Sequence, residues 1–208
     1  MIFQSQRKEV AYFMRRLYEQ NLTTCSGGNI SFKVDEKIIL ITPSQLDKAR
    51  LTPEQIGIVT VDGENLNPEL KPSMETGMHL SIYKKRPDIK AVVHAHPPCA
   101  TSFSATNKKV NCKLNGEARF VIGDPVYTKY ALMGSEELAE IVSEATLNGN
   151  VVLMKNHGVL TVGKTLLEAF DRLEVFEASA KITLITELLG ERKELSADEL
   201  NAIDELIK

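Results

Sequence analysis

Apolar residues recur along this chain with two periods, and the change from one to the other marks out its elements. Val10, Phe13, Met14 and Leu17 lie at helical spacing and predict a surface helix over residues 4–21. A glycine-bearing turn, TCSGGNIS (24–31), follows, then a β-rich run, IILIT (38–42). Thr52-Pro53-Glu54-Gln55 predicts a capped short helix, with proline at its first position and Gln55 closing a capping box. IVTVD (58–62) running into Gly63 predicts a strand and turn, and Pro72 to Arg86 a helix ended by Pro87. AVVHAH (91–96) predicts a buried strand stopped by Pro97-Pro98, ARFVIG (118–123) another strand, and Ser135 to about Asn148 a helix. VVLM (151–154) and VLTVG (159–163), joined through KNHG, predict a tightly connected strand pair. Capping boxes at Thr165/Glu168 and Ser196/Glu199 open a long apolar helix reaching Gly190 and a short terminal one.

Hairpin-like connections outnumber strict βα alternation. The expected fold is therefore α/β: a mixed, mostly antiparallel central sheet covered by helices on both faces. No repeat, low-complexity tract or linker divides the chain, so residues 1–208 are expected to form a single domain.

Composition narrows the function classes. Twenty-five basic against 28 acidic residues give a net charge of −3, which disfavours a nucleic-acid partner. No apolar run approaches the ~20 residues needed to span a bilayer, and MIFQSQRKEV lacks the apolar core of a signal peptide. Cys25, Cys99 and Cys112 are odd in number and irregularly spaced, so neither a disulfide framework nor a zinc knuckle is expected. These features predict a soluble, cytoplasmic protein without membrane attachment.

The candidate chemistry lies in the histidines. There are four, and two form His94-x-His96 inside a predicted strand. Side chains two apart on a strand share a face, so both imidazoles can reach one ion. His157, in Asn156-His157-Gly158, sits at the turn between two further strands. Three neutral imidazoles with a fourth position open make a catalytic zinc site. The residues alone leave a second reading open, core or surface histidines that never meet. Glu75, in the first predicted turn of a helix, is either an acid–base group or an acid that complements the helix dipole. His79, four residues on, reads as a structural helix histidine. Ser26-Gly27-Gly28-Asn29 can turn backbone N–H groups toward an anion, and Thr42-Pro43-Ser44 offers hydroxyls that could join them.

In order, SGGNIS (26–31), ITPS (41–44), KPSMET (71–76), VVHAHPP (92–98) and KNHGVLTVG (155–163) resemble the class II aldolase/adducin family, in particular its fuculose-phosphate aldolase type. The resemblance runs from about residue 5 to residue 190. It implies a three-layer αβα sandwich, a homotetramer and a zinc ion near the subunit interface, with manganese or cobalt as other ions an imidazole site accepts. It implies that His94, His96 and His157 hold the metal and that Glu75 is the catalytic acid–base. Gly28, Asn29, Ser44 and Ser73 match positions that cradle the substrate phosphate. The implied reaction is reversible cleavage of a ketose 1-phosphate, fuculose 1-phosphate or a related deoxypentulose 1-phosphate. Its products are dihydroxyacetone phosphate and a small aldehyde, formed through an enediolate that a Lewis-acidic metal stabilises.

The chain departs from the aldolase pattern in two places. Ser44-Gln45 stands where Thr-Gly is common, and Ser73-Met74-Glu75 where the aldolases have Ser-Ser-Glu. Their tyrosine donor from a neighbouring subunit aligns with Asn115, and Tyr127 and Tyr130 lie nearby as substitutes or as packing residues. Sugar-phosphate dehydratases of the methylthioribulose type, and decarboxylases of phosphorylated oxo-acids, are the alternatives on this fold. Pentulose-phosphate epimerases carry Asp where Glu75 stands. An adducin-like binding module lacks the metal site.

Overall fold

A computed structural model describes residues 2–206. Its centre is a seven-stranded sheet in the order β3-β2-β1-β4-β7-β6-β5. The strands are β1 (Asn29–Lys33), β2 (Ile38–Ile41), β3 (Gly57–Thr60), β4 (Ala91–Ala95), β5 (Val126–Thr128), β6 (Val151–Met154) and β7 (Gly158–Gly163). Neighbours pair antiparallel except β5 with β6.

Side-chain alternation across this sheet makes two cores. On β4, Ala91, Val93 and Ala95 join the core under α1 (Gln4–Glu19), α3 (Pro98–Ser104), α4 (Gly116–Ile122) and α6 (Leu166–Leu189). Val92 joins the other, under α2 (Thr76–Lys85) and α5 (Glu136–Ala145). A short α7 (Ala197–Glu205) packs against α4. The expected three-layer αβα arrangement is the one formed. Burying one such Val or Leu stabilises the fold by about 1.5–3 kcal/mol. A one-residue slip would exchange the two cores, so the register is fixed by both.

Several elements differ from the sequence expectation, the three-residue β5 among them, where no strand is expected. ARFVIG is no strand: Asn115 caps a helix by accepting from the Ala118 N–H at 2.7 Å, and Gly123, at φ +67°, ends it. Capping at both ends outweighs the β propensity of the run. β1, Asn29–Lys33, begins inside the turn expected over 24–31, and its pairing with both β2 and β4 overrides a pattern broken by Ser31 and Lys33. The helix expected from Pro72 begins at Thr76, because Pro72 bridges to Pro43 and draws the chain before Glu75 away from helical form. Pro97-Pro98 ends β4 but also opens α3, with Pro98 at its first position, where a missing N–H costs nothing.

Candidate metal centre

β4 carries His94 on the Val92 face, and His96 follows two residues on, beside the turn joining β6 to β7. Pairing of Ala95 with Val159 and of Met154 with Gly158 carries that turn, and His157 with it, to the end of β4. Ring centroids of His94 lie 4.7 Å from His96 and 4.9 Å from His157. One nitrogen from each of the three falls within 4.8 Å of the others. Gly158 permits this approach: a Cβ there would stand 2.6 Å from the Ala95 carbonyl and from the His96 ring. Gly28, at φ +65°, lets the preceding turn lie against the His94 carbonyl, which a Cβ would meet at 2.8 Å.

Leftover donor atoms test whether a metal ion fits. The buried His94 donates from Nδ1 to the Val159 carbonyl at 2.9 Å, which leaves the Nε2 lone pair free. That Nε2, His157 Nδ1 and Glu75 Oε1 are buried without a hydrogen-bond partner. Burial, then the neighbouring imidazoles, pushes the His96 pKa down to about 3, and burial lowers that of His94 too. Imidazole nitrogens with unused lone pairs are the donors a borderline divalent cation takes, so the residues fit one.

Glu75 stands at the N-cap position of α2, yet its side chain makes no capping bond. It turns inward instead, with Oε1 3.1 Å from His157 Nε2 and Oε2 3.2 Å from His94 Nε2. Burial opposes its charge, but His94, His157 and the Asn29 amide together hold the carboxyl well below the usual range.

A buried chain of hydrogen bonds supports that carboxylate. Asn29 Nδ2 donates to Glu75 Oε2 at 2.7 Å, and Asn29 Oδ1 accepts from His79 Nε2 at 2.6 Å. His79 Nδ1 must then accept, from Ser31 Oγ at 2.6 Å, and Ser31 lies 2.8 Å from the Tyr83 hydroxyl. His79 is fully buried, and burial pushes its pKa down to about 3. It is the structural histidine the helix pattern suggests, with a partner on each nitrogen.

Gly28, Asn29, Ser44 and Ser73 line one cavity of about 320 Å³ with Glu75, His96 and His157. Ser44 Oγ donates to the Pro72 carbonyl at 3.0 Å, and Ser73 Oγ accepts from the Glu75 N–H at 3.3 Å. Lys48 and Met133 share the lining, and neither is singled out by the sequence. The Lys48 side chain is buried by folding alone, which its polar context LDKAR does not signal. Of the candidate tyrosines, the Tyr127 hydroxyl accepts from the Val110 N–H at 3.0 Å and is committed to that loop. Tyr130 is exposed.

The profile of the family described as Class II Aldolase and Adducin N-terminal domain matches residues 8–184. The chain belongs to this family. A class II aldolase relative from Methanococcus maripaludis, an L-fuculose phosphate aldolase, is 40% identical over 171 residues, 82% of this chain and 92% of that one. A 5-deoxy-D-ribulose 1-phosphate aldolase of Bacillus thuringiensis is 32% identical over 96% of this chain and 94% of that protein. A 3-oxo-tetronate 4-phosphate decarboxylase of Haemophilus influenzae is also 32% identical, over 86% of each. A solved L-fuculose 1-phosphate aldolase superposes with a TM-score of 0.90 at 31% identity, covering 99% of this chain and 97% of that one. The chain is an enzyme of this metal-dependent aldolase family, whose named relatives here act on sugar or sugar-acid phosphates. Among the described residues, no helix is long and apolar enough to cross a membrane.

Proposed function

We propose that this class II aldolase is a zinc-dependent enzyme that cleaves a ketose 1-phosphate reversibly to dihydroxyacetone phosphate and a small aldehyde. The substrate is fuculose 1-phosphate or a related deoxypentulose 1-phosphate. One observation carries the reading: a carboxylate lies within 3.2 Å of two of three clustered imidazoles, at the floor of a cavity whose other wall is two serines and a glycine turn. His94, His96 and His157 hold the ion. When bound, it supplies Lewis acidity for negative charge developing on oxygens beside the scissile bond. Glu75, ionised and held by Asn29, takes and returns the proton at the donor carbon. Gly28, Asn29, Ser44 and Ser73 accept the phosphate, with backbone amides taking the place of the missing second serine.

The whole chain acts as one domain in the cytoplasm, on a small molecule and without nucleic acid. Exposed Met74, Leu132 and Met133, two of them on the cavity and its neighbouring groove, support assembly as a homotetramer with sites at subunit borders. The relative from Haemophilus influenzae favours a second reading, decarboxylation of a phosphorylated oxo-acid on the same residues.

Hydrogen–deuterium exchange into dihydroxyacetone phosphate, followed by NMR with and without chelator, separates the two. Chelator-sensitive exchange at one carbon-bound proton is expected. A fully metallated enzyme that leaves the donor unexchanged would move the assignment to decarboxylation.

A further inference from the structure

Beneath the anion-facing wall lies a charge that the reaction described so far does not use. Lys48 opens the turn Lys48–Arg50 and is 1% exposed. Its backbone N–H donates to the Cys25 carbonyl at 2.8 Å, just before the glycine turn, and its ammonium donates to the Pro43 carbonyl. An ammonium has three donors, and among the described residues the Pro43 carbonyl is their hydrogen-bond acceptor. Burial without a compensating carboxylate pushes its pKa down to about 8. The residue it grips begins the turn Pro43–Ser44–Gln45, where Gln45 takes φ +62° although it has a side chain. Such a conformation persists only where the surroundings impose it.

We propose that Lys48 is the fixed positive charge of the anion subsite, acting on the substrate phosphate from beneath the Pro43–Ser44–Gln45 turn while holding that turn in shape. The inference rests on the sugar-phosphate reading and adds a residue to it. Lys48 lines the cavity with Gly28, Ser44 and Ser73, so the charge and the neutral donors face the same space. Lys71 lines it too, but is exposed and therefore screened by water and salt. A cation buried with one carbonyl for company is costly by itself, and a dianion arriving nearby offsets that cost where water is scarce. Lys48 is a binding and positioning residue, placed apart from the carbon that reacts.

Titration of the zinc-loaded protein with inorganic phosphate, by calorimetry, is the direct test. Lys48→Met keeps the length of the side chain and removes its charge and donor. Phosphate affinity is expected to fall by roughly 10- to 100-fold, the usual effect of losing one charge-assisted contact. The KM for dihydroxyacetone phosphate in proton exchange should rise in step with kcat within a few-fold of wild type, and zinc content should hold. Exchange into unphosphorylated dihydroxyacetone should fall by much less than exchange into the phosphorylated donor. Unchanged phosphate affinity, or equal losses on the phosphorylated and unphosphorylated donors, would overturn the proposal. Lys48→Gln retains a donor for the Pro43 carbonyl and carries the same test should the Met variant not fold. Wild-type phosphate affinity in that variant would overturn the role of the charge. Phosphate binding needs no turnover, so wild-type protein that binds phosphate yet exchanges no donor proton defeats the aldolase reading and leaves this one intact.

Discussion

The histidine side of the cavity is built from strand register and a hairpin turn, and the side proposed for phosphate from irregular turns. His94 is placed by the alternation of β4, His96 follows just beyond the end of that strand, and His157 lies in the turn of the hairpin paired with it. The opposite wall depends on residues with unusual backbone or unusual company: Gly28 at φ +65°, Gln45 at φ +62°, and Pro43 bridged to Pro72. A one-residue slip of register turns every side chain to the other face, whereas the residues of a turn can be exchanged one at a time. On the proposed function, metal binding is therefore the rigid part of this molecule and phosphate recognition the adjustable part. The relatives, with names that agree on a phosphate and differ in the rest of the substrate, fit that division.

The sharpest way to break the comparison is on the rigid side. His96→Ala should empty the metal site and lower proton exchange by more than about 1,000-fold, because two imidazoles no longer make a closed set of ligands. Metal content per chain together with exchange rate checks it, and wild-type turnover by a metal-free variant would refute it. Glu75→Gln should retain the metal and lower exchange by about 100- to 10,000-fold, the range for a lost general base. Exchange at the wild-type rate in that variant would show that the proton travels by another group. On the adjustable side the effect should be small and of opposite sign. Gln45→Gly relieves a left-handed backbone and should raise stability by roughly 0.5–1 kcal/mol, read as a shift in the urea midpoint at unchanged slope. A lower midpoint would mean that the Gln45 side chain does more than occupy its place.

The same division governs what can be read without coordinates. A period of two brought out His94 and His96, and a turn between two apolar runs brought out His157, because strand geometry converts spacing directly into direction. The three-layer architecture is legible for the same reason. ARFVIG misleads, since a run rich in β-branched and aromatic residues hides helix caps at Asn115 and Gly123 that lie outside it. β1 and the three-residue β5 are stabilised by their neighbours in the sheet and leave little pattern of their own. The inward turn of Glu75 depends on where α2 begins, and the Pro43–Pro72 bridge that decides this joins residues far apart in the chain. Lys48 is the extreme case, for a lysine among Asp47, Ala49 and Arg50 looks like solvated surface until the fold closes over it.

The hydrogen bonds running from Tyr83 through Ser31, His79 and Asn29 to Glu75 have a direction, because the Asn29 amide only donates at one end and only accepts at the other. An amide in that position is a strut and not a wire: it fixes the carboxylate in place without passing protons along. Glu75 therefore passes no proton along this chain into the interior, and its other close neighbours are His94 and His157. On the proposed function, a proton that Glu75 takes from a bound substrate cannot drain along that chain and stays at the site for the return step.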